Sequence, residues 1–365
     1  MLKLADLIRQ CKAATKGRFS DIHAREKDVP RVRTSGGLEP ASEEFLERGD
    51  IVDFIEKMRP DLRFDEELDR SGGEFDFGFE FDGDHYRANL ARYHGHKMIM
   101  LVMRKLDRVI RSLPELGLPE SLFQWLDHES GLIFVVGPTG SGKTSTLAAL
   151  VEHLNCTRPI HILTAEDPIE IRFEPKLATI TQREIGQDTV DFTSAARAAM
   201  REDPDVMLIG EIRDLASAKE AIRLAETGHL VLSTLHADAA DGAIDRLTRI
   251  FEGSAEQVLL LHSLASQLIG VLYQRLLVSR QQDELGLMRR VLAYEMITNT
   301  PAVATHIREN KIVQIRSAIQ MSGHQDNMAE MSESLNRLLA SQLIDKKTAA
   351  AALSRRDVAF ERVSP

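Results

Sequence analysis

Leu132–Leu150 reads "LIFVVGPTGSGKTSTLAAL". Five apolar residues run into a glycine-rich turn, and a lysine and a threonine then open a helix. The turn matches G-x-x-x-x-G-K-[ST], in which consecutive backbone N–H groups wrap phosphates at the N-terminus of a helix. The spacing assigns Gly137, Pro138, Thr139, Gly140, Ser141, Gly142, Lys143, Thr144 and Ser145 to a nucleotide cradle. Lys143 would reach the β- and γ-phosphates and Thr144 would hold Mg²⁺. An apolar strand before the loop and a helix after it are the context this motif requires. The reading expects ATP and Mg²⁺, and leaves open what work the nucleotide drives.

Around this loop the sequence alternates short apolar runs with longer helical stretches. "LIFVV", "IHILTAED", "VMLIGEIRD" and "HLVLSTLHAD" each end in polar residues. Such a pattern predicts an α/β fold with buried parallel strands and chemistry at their carboxyl ends. Glu211 ends the third run, with Gly210 where an aspartate is usual. In phosphoryl transfer an acid there holds the metal, directly or through water, or polarises the attacking water. Glu166, Asp167 and Glu170 follow the second run, and three carboxylates beside a phosphate site can hold Mg²⁺ and orient water. His229 and His236 bracket the fourth.

The N-terminal third has a different texture. Phe75, Phe77, Phe79 and Phe81 alternate with Asp76, Gly78, Glu80 and Asp82, and Asp82-Gly83 is a hairpin turn signal. Residues 1–107 are predicted as a small α+β domain with a half-buried antiparallel sheet. It includes a helix over 2–14, a short strand in "GRFSDIHAR", a turn at Gly36-Gly37 and a helix over 42–58. Arg87 and Arg92 fall on or near the returning strand. An arginine near the transferred phosphate assists this chemistry, often from a neighbouring subunit. Arg87 equally faces the acidic side of its own hairpin, where it would simply pair. "RVIRSLPELGLPESL" carries two prolines, and residues 108–118 within it read as a linker. Residues 119–280 read as the ATPase core, with "VLLLHSLASQLIGVL" (258–272) as a buried helix. Residues 281–365 read as mainly helical.

Composition narrows the classes. The chain has 365 residues, 43% of them hydrophobic and 28% charged, with net charge −10. That balance supplies a sizeable core. It shows no basic stripe, and aromatics are 5%, which argues against a nucleic-acid motor. Two cysteines far apart, Cys11 and Cys156, make no zinc clamp and fit a reducing compartment. The opening stretch is broken by charge every few residues, so no secretory leader is expected. No run approaches the ~18 apolar residues of a membrane helix; any membrane association is expected to pass through a partner.

Four boxes in this order resemble the secretion ATPase superfamily of type II secretion and type IV pilus motors. "GPTGSGKT" resembles its Walker A motif, "AEDPIE" its Asp box, "LIGEIRD" its Walker B motif and "TGHLVLSTLHAD" its His box. "ITQREIGQDTVDFTSAARAAMREDPDV" resembles the family's connecting stretch. "FSDIHAR", "IRENKIVQIRSAIQMS" and "MSESLNRLLASQLIDKKTA" extend the likeness to both ends, toward the PilT-like retraction branch. The four-cysteine zinc site of the assembly branch is absent. The resemblance implies a PAS-like N-terminal domain, a RecA-like ATPase domain and a homo-hexameric ring. It places ATP between the two domains, whose pivoting would pass to an inner-membrane platform protein, in the cytoplasm. It implies that Glu211 and Glu166 serve hydrolysis, that His229 and His236 lie near the nucleotide and the domain interface, and that Arg201 and Arg213 lie close to the phosphates. One of Arg87, Arg92 and Arg104 would act in trans. A DotB-like type IV secretion ATPase and a nucleotide-gated assembly scaffold with little turnover carry the same boxes and stay open as alternatives.

Overall fold

Residues 3–34, 37–61, 63–106, 110–282, 288–322 and 328–353 are described by a computed structural model. The chain forms two compact units, residues 1–109 and 110–365.

In the first unit, helices α1 (Leu4–Ala14), α2 (Arg48–Met58) and α3 (Phe64–Arg70) accompany strands β1 (Asp21–Arg25), β2 (Arg31–Thr34), β3 (Gly37–Pro40), β4 (Glu74–Phe81), β5 (Asp84–Tyr93) and β6 (Met98–Leu106). The strands form one antiparallel sheet in the order β3-β2-β1-β6-β5-β4. The period-two pattern of β4 is realised: Phe77 and Phe79 are buried, and the helices contribute Leu7, Ile8, Ile55 and Leu68 to the same core. Each such buried side chain contributes about 1.5–3 kcal/mol. Helix α2 starts at Arg48 instead of residue 42, because Glu47 and Asp50 form a reciprocal cap there. Gly36, of the expected β2–β3 turn, lies outside the described residues.

The second unit begins inside the expected linker. Helix α4 (Leu113–Leu116) and a 3-10 helix, Glu120–Asp127, bury Leu113, Leu118 and Leu122 in its core. From Ile110 on, the stretch is therefore packed structure: its leucines, not its two prolines, decide its place. The elements that follow are β7 (Gly131–Val136), α5 (Lys143–Thr157), β8 (His161–Glu166), β9 (Thr179–Glu184), α6 (Phe192–Ala199), β10 (Val206–Ile209), α7 (Leu215–Glu226), β11 (Leu230–Leu235), α8 (Ala240–Phe251), α9 (Gln257–Gln267), β12 (Leu268–Gln282), β13 (Met288–Thr298), α10 (Pro301–Arg308), α11 (Val313–Ser322), α12 (Met331–Ala340) and α13 (Lys346–Ala352). Sheet order is β13-β12-β7-β11-β10-β8-β9, with every neighbouring pair parallel except β12–β13.

Two sequence expectations fail here. Residues 258–272 are not one helix: α9 ends at Gln267 and β12 starts at Leu268. Residues 288–298 depart from the mainly helical reading, since β13 pairs along β12 from Gly270↔Thr298 onward. Both strands are buried on both faces over much of their length, so their apolar runs lack the alternation that marks a strand. Gly270 is required by contact, because a Cβ there would lie 2.4 Å from the Trp125 ring. Strand β12 is also tied to the C-terminal helices. Arg275 donates to the Ala352 carbonyl at 2.6 Å, and Ser279 to that of Leu343 at 2.9 Å.

Candidate active site

The parallel strands β7, β11, β10 and β8 are adjacent and deliver their carboxyl ends to one edge of the sheet. A cleft of about 370 Å³ lies there, and Thr139, Gly140, Lys143, Thr144, Glu166, Glu211, Arg213 and His236 contribute to its wall.

The phosphate loop connects β7 to α5. Gly137 sits at φ 149°, and a Cβ on it would lie 2.4 Å from the Gln274 carbonyl oxygen and 2.7 Å from Ser141 Oγ, so only glycine fits. Ser141 Oγ is buried without a hydrogen-bond partner among the described residues. Lys143 Nζ donates to the carbonyls of Gly137 at 3.0 Å and Pro138 at 3.1 Å. Burial lowers the Lys143 pKa, while Glu211 and Glu170 oppose the shift. A tight glycine loop, a lysine folded over it and a buried hydroxyl fit the phosphates of a nucleotide. Ser145 is exposed on α5 and does not line the cleft.

Glu211 follows β10. Its Oε2 accepts from Arg213 Nε at 2.6 Å, and its Oε1 lies 3.4 Å from His236 Nε2. Arg213 also stands 3.8 Å from Asp167. The hydrogen bond from Arg213 to Glu211 holds its guanidinium firmly charged. Gly210 has a physical reason too: a Cβ would press on the Phe192 ring at 3.1 Å and the Ala165 carbonyl at 3.2 Å.

Glu166 closes the far wall and is almost wholly buried. Its Oε1 accepts from Thr164 Oγ1 at 2.6 Å and from Gln182 Nε2 at 3.1 Å. Burial raises its pKa above the ordinary carboxylate range, against the pull of those two donors. Gln182 also donates to the Ile171 carbonyl and accepts from Phe173 N, so it fixes the segment after Pro168. Sequence reasoning missed β9 and Gln182, because "TITQRE" holds one apolar residue, Ile180, and shows no alternation.

Glu166, Asp167 and Glu170 all line this cleft, whereas His229 and Arg201 do not. Among the described residues, Glu166, Asp167 and Glu170 make no group of three that could hold a metal ion. Glu166 accepts from Thr164 and Gln182 through Oε1. His229 precedes β11, so it sits at the opposite end of that strand from His236, about 20 Å away at ~3.3 Å per residue. Its Nδ1 is 2.9 Å from the Leu224 carbonyl oxygen and 3.1 Å from Thr227 Oγ1. A residue before a parallel strand and one after it face opposite sheet edges, which the sequence could have told. Arg201 follows α6, whose first residue Phe192 lines the cleft, and the helix carries the chain away from it. In the first unit, Arg87 pairs with Asp76 at 3.1 Å, Arg92 with Asp69, and Arg104 with Asp21 at 2.8 Å.

The profile described as "Type II/IV secretion system protein" matches residues 85–335, more than half of the chain. The chain belongs to that family. It is 36% identical to the "Type IV pilus retractation ATPase PilT" of Pseudomonas aeruginosa over 94% of this chain and 97% of that one. It is 39% identical to the "Uncharacterized protein YggR" of Escherichia coli K12, covering 88% and 94%. The crystal structure of the pilus retraction motor PilT with bound ADP superposes with TM-score 0.86 at 36% identity, covering all of both chains. The DotB ATPase of Legionella pneumophila shares the fold, with TM-score 0.79 at 23% identity over 96% and 95%. This member of the type II/IV secretion family is an ATPase, with an N-terminal α+β domain preceding its RecA-like ATPase domain. No helix among the described residues is long and apolar enough to cross a membrane.

Proposed function

We propose that this chain is the subunit of a homo-hexameric ring that hydrolyses ATP to withdraw a type IV pilus, or to drive a closely related secretion machine. The carrying observation is the convergence of Lys143, Thr144, Glu166 and Glu211 on one cleft at the strand ends, in a chain similar along its whole length to a retraction ATPase.

The loop N–H groups and Lys143 bind the phosphates, at the helix terminus where such groups are concentrated. Thr144, with Glu211 directly or through water, is the donor set for Mg²⁺; the ion would neutralise charge on the β- and γ-phosphate oxygens. The fit rests on the glycine cradle and the hard oxygen donors. Glu166 orients and deprotonates the attacking water, since its raised pKa makes it a stronger base than an ordinary carboxylate. Arg213 holds Glu211 in place, and His236 joins that carboxylate to β11. One of Arg87, Arg92 and Arg104 reaches a neighbouring subunit's phosphates after leaving its present ion pair. The force passes to a platform protein of the inner membrane, with the ring on the cytoplasmic side.

Deleting the gene and counting surface pili tests this reading. Excess pili are expected; bald cells would mean assembly, and unchanged piliation with lost secretion would favour a secretion motor. Purified full-length protein that binds ATP without releasing phosphate would make it a scaffold.

A further inference from the structure

Gln274 lies on β12, outside every motif of the family's four boxes, and is completely buried. Tyr273, beside it, pairs with Val136, the last residue of β7 before the phosphate loop. The side chain therefore emerges level with the loop. Its Nε2 donates to the Ser141 carbonyl at 2.7 Å, and its Oε1 accepts from Thr146 Oγ1 at 2.8 Å. Thr146 is itself buried, in the first turn of α5. The Gln274 main-chain oxygen is the atom that a Cβ on Gly137 would strike, and Nε2 lies 3.2 Å from where a Cβ on Gly142 would sit. One residue thus borders the loop at its start, along its middle and at the helix it feeds.

We propose that Gln274 is a positioning residue for ATP binding and hydrolysis: its amide fixes the Ser141 peptide and the first turn of α5, and so aims the N–H groups at Gly142, Lys143 and Thr144. The inference rests on the reading of this loop as the ATP site. Only a side chain that donates at one end and accepts at the other satisfies both partners at that spacing. Methionine has the length and fills the space but makes neither hydrogen bond. Glutamic acid makes both only when protonated, with its O–H toward Ser141 and its carbonyl toward Thr146. Once ionised it can only accept, and it then opposes the Ser141 carbonyl. Burial raises the pKa of such an acid.

The experiment uses the full chain and measures mant-ATP affinity, kcat and KM for Gln274→Met, Gln274→Glu and Thr146→Val, with thermal melts to establish folding. Displaced catalytic groups cost on the order of 100-fold, so a loss in kcat/KM of about that size is expected for Gln274→Met, and a smaller one for Thr146→Val. Gln274→Glu should approach wild-type activity at acidic pH and fall progressively behind it as pH rises through its raised pKa. If Gln274→Met fails to fold, the pH profile of Gln274→Glu decides. A folded Gln274→Met with wild-type affinity, kcat and KM overturns the proposal, as does a Gln274→Glu deficit that is the same at every pH. Lys143→Ala serves as the control. Should it remain active, the ATP-site reading itself has failed; should it be dead while Gln274→Met is active, only the role of Gln274 falls.

Discussion

Arg213 donates its Nε to Glu211 at 2.6 Å, two residues back along the chain. The pair spans the turn that leaves β10, so the guanidinium and the carboxylate reach the cleft together. Removing either charge exposes the other. Glu211→Gln is expected to bind ATP but turn over at least ~100-fold more slowly, the scale of a lost acid–base or metal contact. Arg213→Ala is expected to lose less, because His236 still stands 3.4 Å from the other carboxylate oxygen. Phosphate release and nucleotide binding, measured on both variants, check the order.

Lys143→Ala should keep the fold and lose hydrolysis. The loop's shape rests on Gly137 and on the packing of β12, whereas the lysine contributes a point charge to the phosphates. Wild-type turnover in a folded Lys143→Ala would remove the phosphate assignment.

Glu166→Gln separates stability from activity. Its carboxyl pKa is raised by burial in the folded state, so folding favours the protonated form more than the unfolded chain does. That preference is fully present below the unfolded value of about 4.3 and is lost as pH rises through the folded value. Glutamine does not titrate and still accepts from Thr164 and Gln182. The variant should melt higher than wild type at neutral pH, converge with it in acid, and turn over poorly. A melting difference independent of pH would contradict the buried-acid account.

The same acid sets the acidic limb of the rate profile. Turnover should rise with pH through a midpoint above the ordinary carboxylate range. Gln182→Met deletes a donor that favours the carboxylate, so its limb should move to still higher pH. An unmoved limb would show that the limb belongs to another group.

The ion pairs of the N-terminal unit give the arginines a local role that needs no neighbour. If one acts across a subunit boundary instead, Lys143→Ala mixed with the double variant Arg87→Ala/Arg92→Ala should regain part of the ATPase activity after subunit exchange. No recovery from two inactive, hexameric, exchanging variants would leave Arg87 with Asp76 and turn attention to Arg104.

What could be read from the sequence follows from what constrains residue type. Gly137 must be glycine because two atoms occupy the space of a Cβ, so the loop is written plainly. Glu211 and His236 follow apolar runs whose ends define a sheet edge. The alternating phenylalanines of β4 reveal a sheet with one dry face. Strands β12 and β13 were hidden because burial on both faces erases periodicity. Gln274 was hidden because its partners, Ser141 and Thr146, lie far away in sequence and no local pattern links them. Arg201 was carried in by likeness and His229 also by its place beside an apolar run; strand and helix direction put both away from the cleft lining.

Successive side chains of β12 point to opposite faces of the sheet. Gln274 uses one face to hold Ser141, and Arg275 uses the other to reach the carbonyl of Ala352. Past the register shift at Leu268–Gly270, losing a single residue between Gly270 and Tyr273 would exchange these faces, presenting a guanidinium to the loop and an amide to α13. The strand therefore acts as a ruler whose length is fixed to the residue: substitutions along it can be absorbed, but a one-residue deletion there should abolish nucleotide binding and loosen α13 in the same stroke.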